Sequence, residues 1–477
     1  MATKFNKYRN IVAEVKKEKY SYVYSKDKVT DGAYMAVNTT FLALGNYTQG
    51  NVVIADPNVI QKCNNLPVIE AHKMPINDMA FSPFRSDLLA TASDDSTVKF
   101  WKIPEGGLKE DIKQEDQHYL GHKKKVLLIN FNPCVDNLIT TSCLSSLHVL
   151  DIIQSEPICS VELKDWPTSL QWNRNGSLIG LTTKAKEIQV LDPRANKMIL
   201  TTPGFQSTRK QKMAWIDNEY FVVVGFNKNN DREMNLFDIR KVKEDQTMDS
   251  PLFSFKIDRL TGILTPYIDY ESKLIYLNAK GEGNFFFFDI EPDKFNKLNT
   301  LYTPEQALCL VQFERKGLDY NRNEIDRFYK FTPNNEVEIV SMILPRRNPG
   351  FDASLYPPLY CGEAVTSLSA WKEGTNNEPM VKEINTIENK WVSKVETFIK
   401  KEPVKEVPVD PQEKIKFLEQ QVKELKEQLE QANLTIKKLT EEKCKENVIN
   451  DQPVPESQQP KQLVIEQVSE EKQPEDN

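Results

Sequence analysis

Short runs in which apolar and polar residues alternate, each closing on a turn, recur through the first part of the chain. "NVVIADP" ends near Asp56, "TVKFWKI" at Lys102, "SLHVLDI" at Asp151, "EIQVLDP" at Asp192, "EMNLFDI" at Asp238 and "FFFFDI" at Asp289. A weaker seventh, "EVEIVSMI", sits near Met342. Successive spacings are 46, 49, 41, 46, 51 and 53 residues. In "TVKFW", Val98 and Phe100 face one way while Thr97, Lys99 and Trp101 face the other, which is the period of a strand. Turn clusters such as Asn173–Ser177 and Asn227–Arg232 separate the units. A period in the forties with room for four short strands predicts propeller blades. A solenoid fits less well, because it would leave polar capping repeats at both ends. Seven blades closing on themselves leave no free sheet edge, which would keep so β-rich a chain soluble.

The pattern changes after Lys400. Residues 401–411, preceded by Lys400, read as an extended linker with three prolines and alternating charge. Within 412–446, apolar residues fall at Ile415, Leu418, Val422, Leu425, Leu429, Ala432, Ile436 and Leu439, spaced alternately by 3 and 4. That is a heptad seam, an α-helical coiled coil with nothing to bury its stripe against except a copy of itself or a partner. Residues 447–477, with a net charge of −5, are rich in Pro, Gln and Glu and read as an acidic disordered tail.

Charge becomes informative once it is mapped. The whole chain carries −7, and residues 401–477 hold 12 Lys against 18 Asp and Glu, a net of −6, so the remainder is near −1. No strongly basic balance announces nucleic acid. The N-terminus lacks the apolar core of a secretory signal, and no apolar run is long enough for a membrane span. Seven cysteines without a Cys-x-x-Cys pair suggest reduced, buried thiols and a cytoplasmic protein.

Two adjacent aspartates in "TASDDSTVKFWKI" raise the question of chemistry. Paired carboxylates can hold a metal or transfer protons, but they can also close a turn. Blades of the WD type contain a buried polar chain, and His72, Thr91 or Ser93, Asp95 and Trp101 have its order and spacing. Each polar group inside a packed blade must find a partner or cost about 1–3 kcal/mol. Asp95 is therefore read as the turn member of that chain, and Asp94 as its solvated neighbour. In the next unit His122 is present, but Leu144 and Ser145 stand at the aspartate position and Leu150 at the tryptophan. That unit and the others are expected to close by apolar packing. The four histidines (His72, His118, His122, His148) show no metal-binding spacing. There is no phosphate loop and no Gly-x-Ser-x-Gly elbow, so neither a cofactor nor an enzyme is expected.

Segments outside the simple repeat are more specific. "NKYRNIVA" and "MAVNTTFLAL" resemble the start of the coronins, the actin-binding WD-repeat family. "AHKMPINDMAFSPFRSDLLATASDDSTVKFWKIPEGGL" is similar to a coronin blade. "RKGLDYNRNEIDRFYKF" and "LPRRNPGFDASLYPPL" are similar to coronin signatures, and a lone Trp371 follows where that family's extension packs back on the propeller. The resemblance covers about residues 4–390. It implies a seven-bladed WD-repeat β-propeller with a C-terminal extension over 1–400, followed by the coiled coil. It also implies binding to filamentous actin, cortical localisation, homo-oligomerisation, and control of the actin-related-protein complex that branches filaments. Lys26 and Lys28 match the family's basic actin contact, with Lys where Arg is usual, so the planar fork is lost. Lys123, Lys124 and Lys125 lie on a loop between blades and suit an acidic partner surface. Both groups read equally well as solvated charges. Arg346 and Arg347 are read as stabilising the extension.

Within the heptads, Lys414, Ile415, Leu418 and Glu419 resemble the family's trimer-favouring pattern, again with Lys in place of Arg. Ile and Val at a, with Leu at d, favour two strands instead. Dimer and trimer both stay open. The rival reading of the whole chain is a WD scaffold for peptide partners in trafficking or signalling.

Overall fold

The computed structural model describes residues 7–21, 32–46, 50–291, 294–346 and 351–384. The heptads, linker and acidic tail lie outside these residues, as do Lys26, Lys28 and Arg347.

Seven antiparallel sheets follow one another along the chain. The first blade comprises Met35–Val37, Leu42–Asn46, Asn51–Ala55 and Val68–Ile69, and the second comprises Ile76–Phe81, Leu88–Ser93, Val98–Lys102 and Gln117–Tyr119. The third, fourth, fifth and sixth repeat the same up-and-down order from Val126, Pro167, Lys212 and Leu264. The seventh is built from two ends of the chain. Its first three strands are Cys309–Gln312, Glu324–Phe331 and Glu336–Ile343, and the N-terminal strand Val12–Val15 pairs with the last of these. Tyr20 and Ser21 extend that pairing onto Val337 and Glu336. Closing the ring in this way places an early strand on what would otherwise be a bare sheet edge. The seven recurrent runs in the sequence are the third strands of the seven blades.

Because both faces of each blade are covered by neighbours, strands carry apolar residues on both sides. Phe285 and Phe287 point into the cluster shared with the seventh blade, and Phe286 and Phe288 into the one shared with the fifth. All four are nearly inaccessible, and each contributes about 1.5–3 kcal/mol by burial. The run of four phenylalanines is a strand sandwiched between blades.

The first strands of neighbouring blades are joined by side chains. Asp78 accepts hydrogen bonds from Ala33 N at 2.7 Å and from Ile129 N at 2.9 Å. Asn130 Oδ1 accepts from Trp172 N, and Gln171 Oε1 from Trp215 N. A first strand has no inner neighbour, so its N–H groups would otherwise be unmet.

The C-terminal extension crosses the opposite end of the ring from the loops that link blades. It contains the short helix Leu368–Lys372, capped by Ser367, and the paired strands Leu359–Tyr360 and Val381–Lys382. Trp371 is 1% exposed, donates to Gly176 O at 2.8 Å and meets Trp172 edge to face. Gly176 is at φ +68, and a Cβ there would meet the Asn132 side chain at 2.4 Å. Val365 N and Thr366 N both donate to Cys134 O. Arg346 pairs with Asp352 at 3.4 Å within this extension.

Candidate functional site

One face of the ring carries the loops that pass from the last strand of each blade to the first strand of the next. It also carries the turns between second and third strands. Asp95 sits in such a turn, and its polar chain runs inward from it. Asp95 Oδ2 lies 2.9 Å from His72 Nδ1, and His72 Nε2 lies 2.8 Å from Thr91 Oγ1. Trp101 Nε1 donates to the same hydroxyl at 3.0 Å. Thr91 is thus the middle member, while Ser93 donates to Pro75 O. Burial works to raise the Asp95 pKa, but the hydrogen bond and charge of His72, with the Thr97 donors, bring it down to about 2. Gly50, at φ +69, must be glycine because a Cβ would meet His72 O at 2.2 Å.

Two expectations are corrected. Asp94 is not simply solvated: its Oδ1 accepts from Asn77 Nδ2 at 2.8 Å and lies 3.8 Å from Lys125 Nζ. Asn77 Nδ2 also donates to Val126 O, so this neighbour of the turn helps fasten the second blade to the third. The third blade also does not close by apolar packing alone. His122 Nε2 stays 2.8 Å from Thr141 Oγ1, and Ser146 Oγ, at 3.5 Å from His122 Nδ1, stands in for the missing aspartate. His148 stacks on His122 with centroids 4.3 Å apart. Burial drives both imidazoles down to about 4, helped at His148 by His122. Among the described residues no three His, Cys, Asp or Glu side chains converge as metal ligands.

Lys123, Lys124 and Lys125 occupy the loop between Gln117–Tyr119 and Val126–Phe131 on this face. Lys123 and Lys124 are exposed, whereas Lys125 is half-buried and directed towards Asp94. Lys26 and Lys28 lie outside the described residues. The residues flanking them reach the same face: Ser21 pairs beside the turn at Glu336, and Gly32 O accepts from Lys280 Nζ. Exposed apolar side chains also stand on this face, at successive blade junctions. Met74, Leu120, Trp166 and Leu260 lie on the linking loops, and Tyr302 ends the last strand of the sixth blade. Leu120 is 63% and Tyr302 73% exposed. Lys184 Nζ lies 4.2 Å over the Trp166 ring. Sequence reading found the lysines but missed this apolar set. Its only signal is a single large apolar residue inside each polar turn, as in "KDWP" and "DRLTG". Desolvated aromatic anchors beside basic side chains are what a protein-binding surface needs.

Comparison with known proteins shows the family of the chain. A model described as "WD domain, G-beta repeat" matches residues 63–102, and one described as "Type of WD40 repeat" matches 337–379. The first spans the last strand of the first blade and three strands of the second, so the sequence repeat is offset by one strand from the blade. Coronin-A of Dictyostelium discoideum is 31% identical over 464 residues, covering 93% of this chain and 97% of that protein. The chain belongs to the coronin family. Coronin-2A of Homo sapiens is 26% identical, over 79% of this chain and 73% of its own. The coronin-like protein of Schizosaccharomyces pombe is 26% identical over 80% of this chain, which spans 64% of that relative's length. The WD40 domain of Toxoplasma gondii coronin superposes with a TM-score of 0.75 at 27% identity, covering 79% of this chain and 98% of that domain.

The coronin-like segment 315–331 turns inward. Arg315 pairs with Asp269 at 2.6 Å, Glu324 with Arg327 at 2.5 Å, and Lys330 with Glu338 at 2.7 Å. Burial pushes Asp326 up, and its Oδ2 accepts from Gln312. Arg315 ties the seventh blade to the sixth, and the other pairs brace the seventh blade internally.

Proposed function

We propose that this coronin is an actin-filament-binding regulator of the cytoskeleton, working in the cytoplasm and at the cell cortex, and that it docks on filaments through the face of the linking loops. The observation that carries this reading is that exposed Leu120, Trp166 and Leu260 share the face of the linking loops with exposed Lys123 and Lys124. Apolar anchors supply the contact energy, and lysines raise the encounter rate with an acidic surface. Lys26 and Lys28 belong to the same proposal, because their flanking residues reach this face. The heptads from Lys414 to Leu439 would join two or three copies, so that weak sites act together in crosslinking filaments and in modulating the actin-related-protein branching complex.

The test is co-sedimentation of the full chain with actin filaments. Substituting Trp166→Ala together with Lys123→Glu and Lys124→Glu is expected to weaken binding at least about tenfold, with the melting temperature unchanged. Full-length protein that stays in the supernatant at every salt concentration would reject the reading and leave the peptide-binding scaffold as the better account.

A further inference from the structure

A cavity of about 320 Å³ lies at the centre of the ring. It is walled by the first strands of the second to seventh blades, and by Gly32 and Ala33 just ahead of the first. That size is in the range of pockets that enclose small ligands. Lys212 starts the first strand of the fifth blade, and Lys280 sits in the turn between the second and third strands of the sixth, so both stand at the loop-face end. Asn130, Ser169, Thr265 and Gln312 keep part of their surface accessible at the inner edges of their blades, so the cavity is open to solutes.

Among the described residues that line it, two are cations, Lys212 and Lys280, and one is an acid, Asp78. Burial raises the Cys309 thiol while Lys280 and, more weakly, Lys212 pull it back, so both ammonium groups act on one point at the centre of the ring. Asp78 is committed to the fold, since its carboxylate accepts from the backbone N–H groups of Ala33, Met79 and Ile129. Asp326 stands behind Gln312, whose Nε2 donates to it at 2.6 Å, and burial holds its carboxyl raised. Two positive charges therefore face at most one negative charge within the lining. Lys280 Nζ donates to Gly32 O at 3.2 Å, and an ammonium group has three N–H donors. Lysines act as point charges and suit a tetrahedral oxyanion, whereas a planar carboxylate gains most from the fork of an arginine.

We propose that the loop-face end of this central cavity binds a phosphate group, held between Lys280 and Lys212, with Asn130 and Thr265 offering neutral donors to the rest of the ligand. The first negative charge of the phosphate brings the site to neutrality, and the second faces the open mouth, where water screens it. Inorganic phosphate and a small phosphate ester both present this chemistry, and the volume leaves room for the polar remainder of an ester. The site stands or falls independently of filament binding.

Isothermal titration of the full chain with sodium phosphate, glycerol 3-phosphate, glycerol and sodium acetate tests the proposal. One or both phosphate probes bind, and whichever is tighter identifies the source as the free ion or an ester. Glycerol and acetate lack the phosphate and bind at least about tenfold more weakly. Lys280→Gln keeps an N–H donor for Gly32 O but removes the charge, and it weakens phosphate binding by a similar factor. Lys164→Gln removes an exposed cation from the linking loop between the third and fourth blades, away from the cavity, and leaves binding unchanged. Thr265→Leu fills the cavity without touching either lysine; it weakens binding with the melting temperature retained, and it decides the matter if Lys280→Gln does not fold. The proposal is overturned if neither phosphate probe binds at millimolar concentration, or if Thr265→Leu leaves their binding unchanged. Equal losses in Lys164→Gln and Lys280→Gln overturn it too, since phosphate would then be an adventitious ion only, drawn to the general charge of the face. Acetate binding as tightly as phosphate also overturns it.

Discussion

Asp95 holds three partners with one carboxylate. Its Oδ1 accepts from Thr97 N at 3.0 Å and from Thr97 Oγ1 at 2.6 Å, while Oδ2 faces His72. Replacing Asp95 with Ala leaves His72 Nδ1 and the Thr97 amide without that acceptor in a half-buried turn, at a cost of about 1–3 kcal/mol. Urea denaturation should show that loss, while folded Asp95→Ala protein pellets with actin filaments as the parent does. A variant of unchanged stability with lost filament binding would move the doublet into the docking surface. The residue scale also shows where sequence reading reaches. The order His72, Thr91, Asp95, Trp101 is visible because all four lie in one repeat unit. The role of Asp94 is not, because Lys125 and the Val126 carbonyl that complete its surroundings come from the next blade. Nothing in the local pattern separates a solvated aspartate from one that fastens two sheets.

Among elements, the third strands were legible and the first strands were not. A third strand is an uninterrupted apolar run closing on a turn, so periodicity finds it. A first strand mixes apolar residues with Asp78, Asn130 or Gln171, whose hydrogen bonds go to the next blade, 51, 42 and 44 residues further on. The junction of the second and third blades yields a pH prediction. Tyr119, from the last strand of the second blade, holds His148 Nδ1 at 2.6 Å, and His148 stacks on His122. Both imidazoles stay neutral in the fold down to about 4, against an ordinary value of 6.5. The unfolded chain therefore takes up protons that the folded one refuses. This junction's contribution is full well above pH 6.5 and falls as the pH drops towards 4, by at most roughly 2–3 kcal/mol for each imidazole. Asp78 works in the opposite sense, since burial raises it to about 6 and favours the folded form as acid is added. The measurement is therefore a difference: His148→Gln, which can keep the Tyr119 contact, should lose less stability than the parent between pH 6.5 and 4.5. Equal slopes would mean that these histidines are accessible to protons in the fold.

At the scale of the whole molecule, the ring is closed by its own N-terminus, through Val12–Val15 on the seventh blade. The loop face therefore belongs to a closed body, and the residues proposed to dock depend on no second copy for their placement. The heptads lie outside the described residues, and their part in function rests on arithmetic. A ring that meets a filament through a few exposed apolar side chains and solvated lysines makes a weak contact, and surface charge pairs add little individually. Joining rings converts each further contact into an intramolecular one, raising apparent affinity by a factor on the order of 10² or more when the geometry allows both to engage. Truncation after Pro408 removes every heptad residue from Lys414 onward while keeping the ring. The truncated chain should still co-sediment at low salt, with at least about tenfold weaker apparent affinity and with no filament crosslinking. Raising the salt from low to physiological levels should release it before the full chain, because its charge-steered contact is no longer backed by neighbours. Equal affinity of the two forms would show that a single ring carries all of the binding, and would assign the heptads to something other than filament avidity.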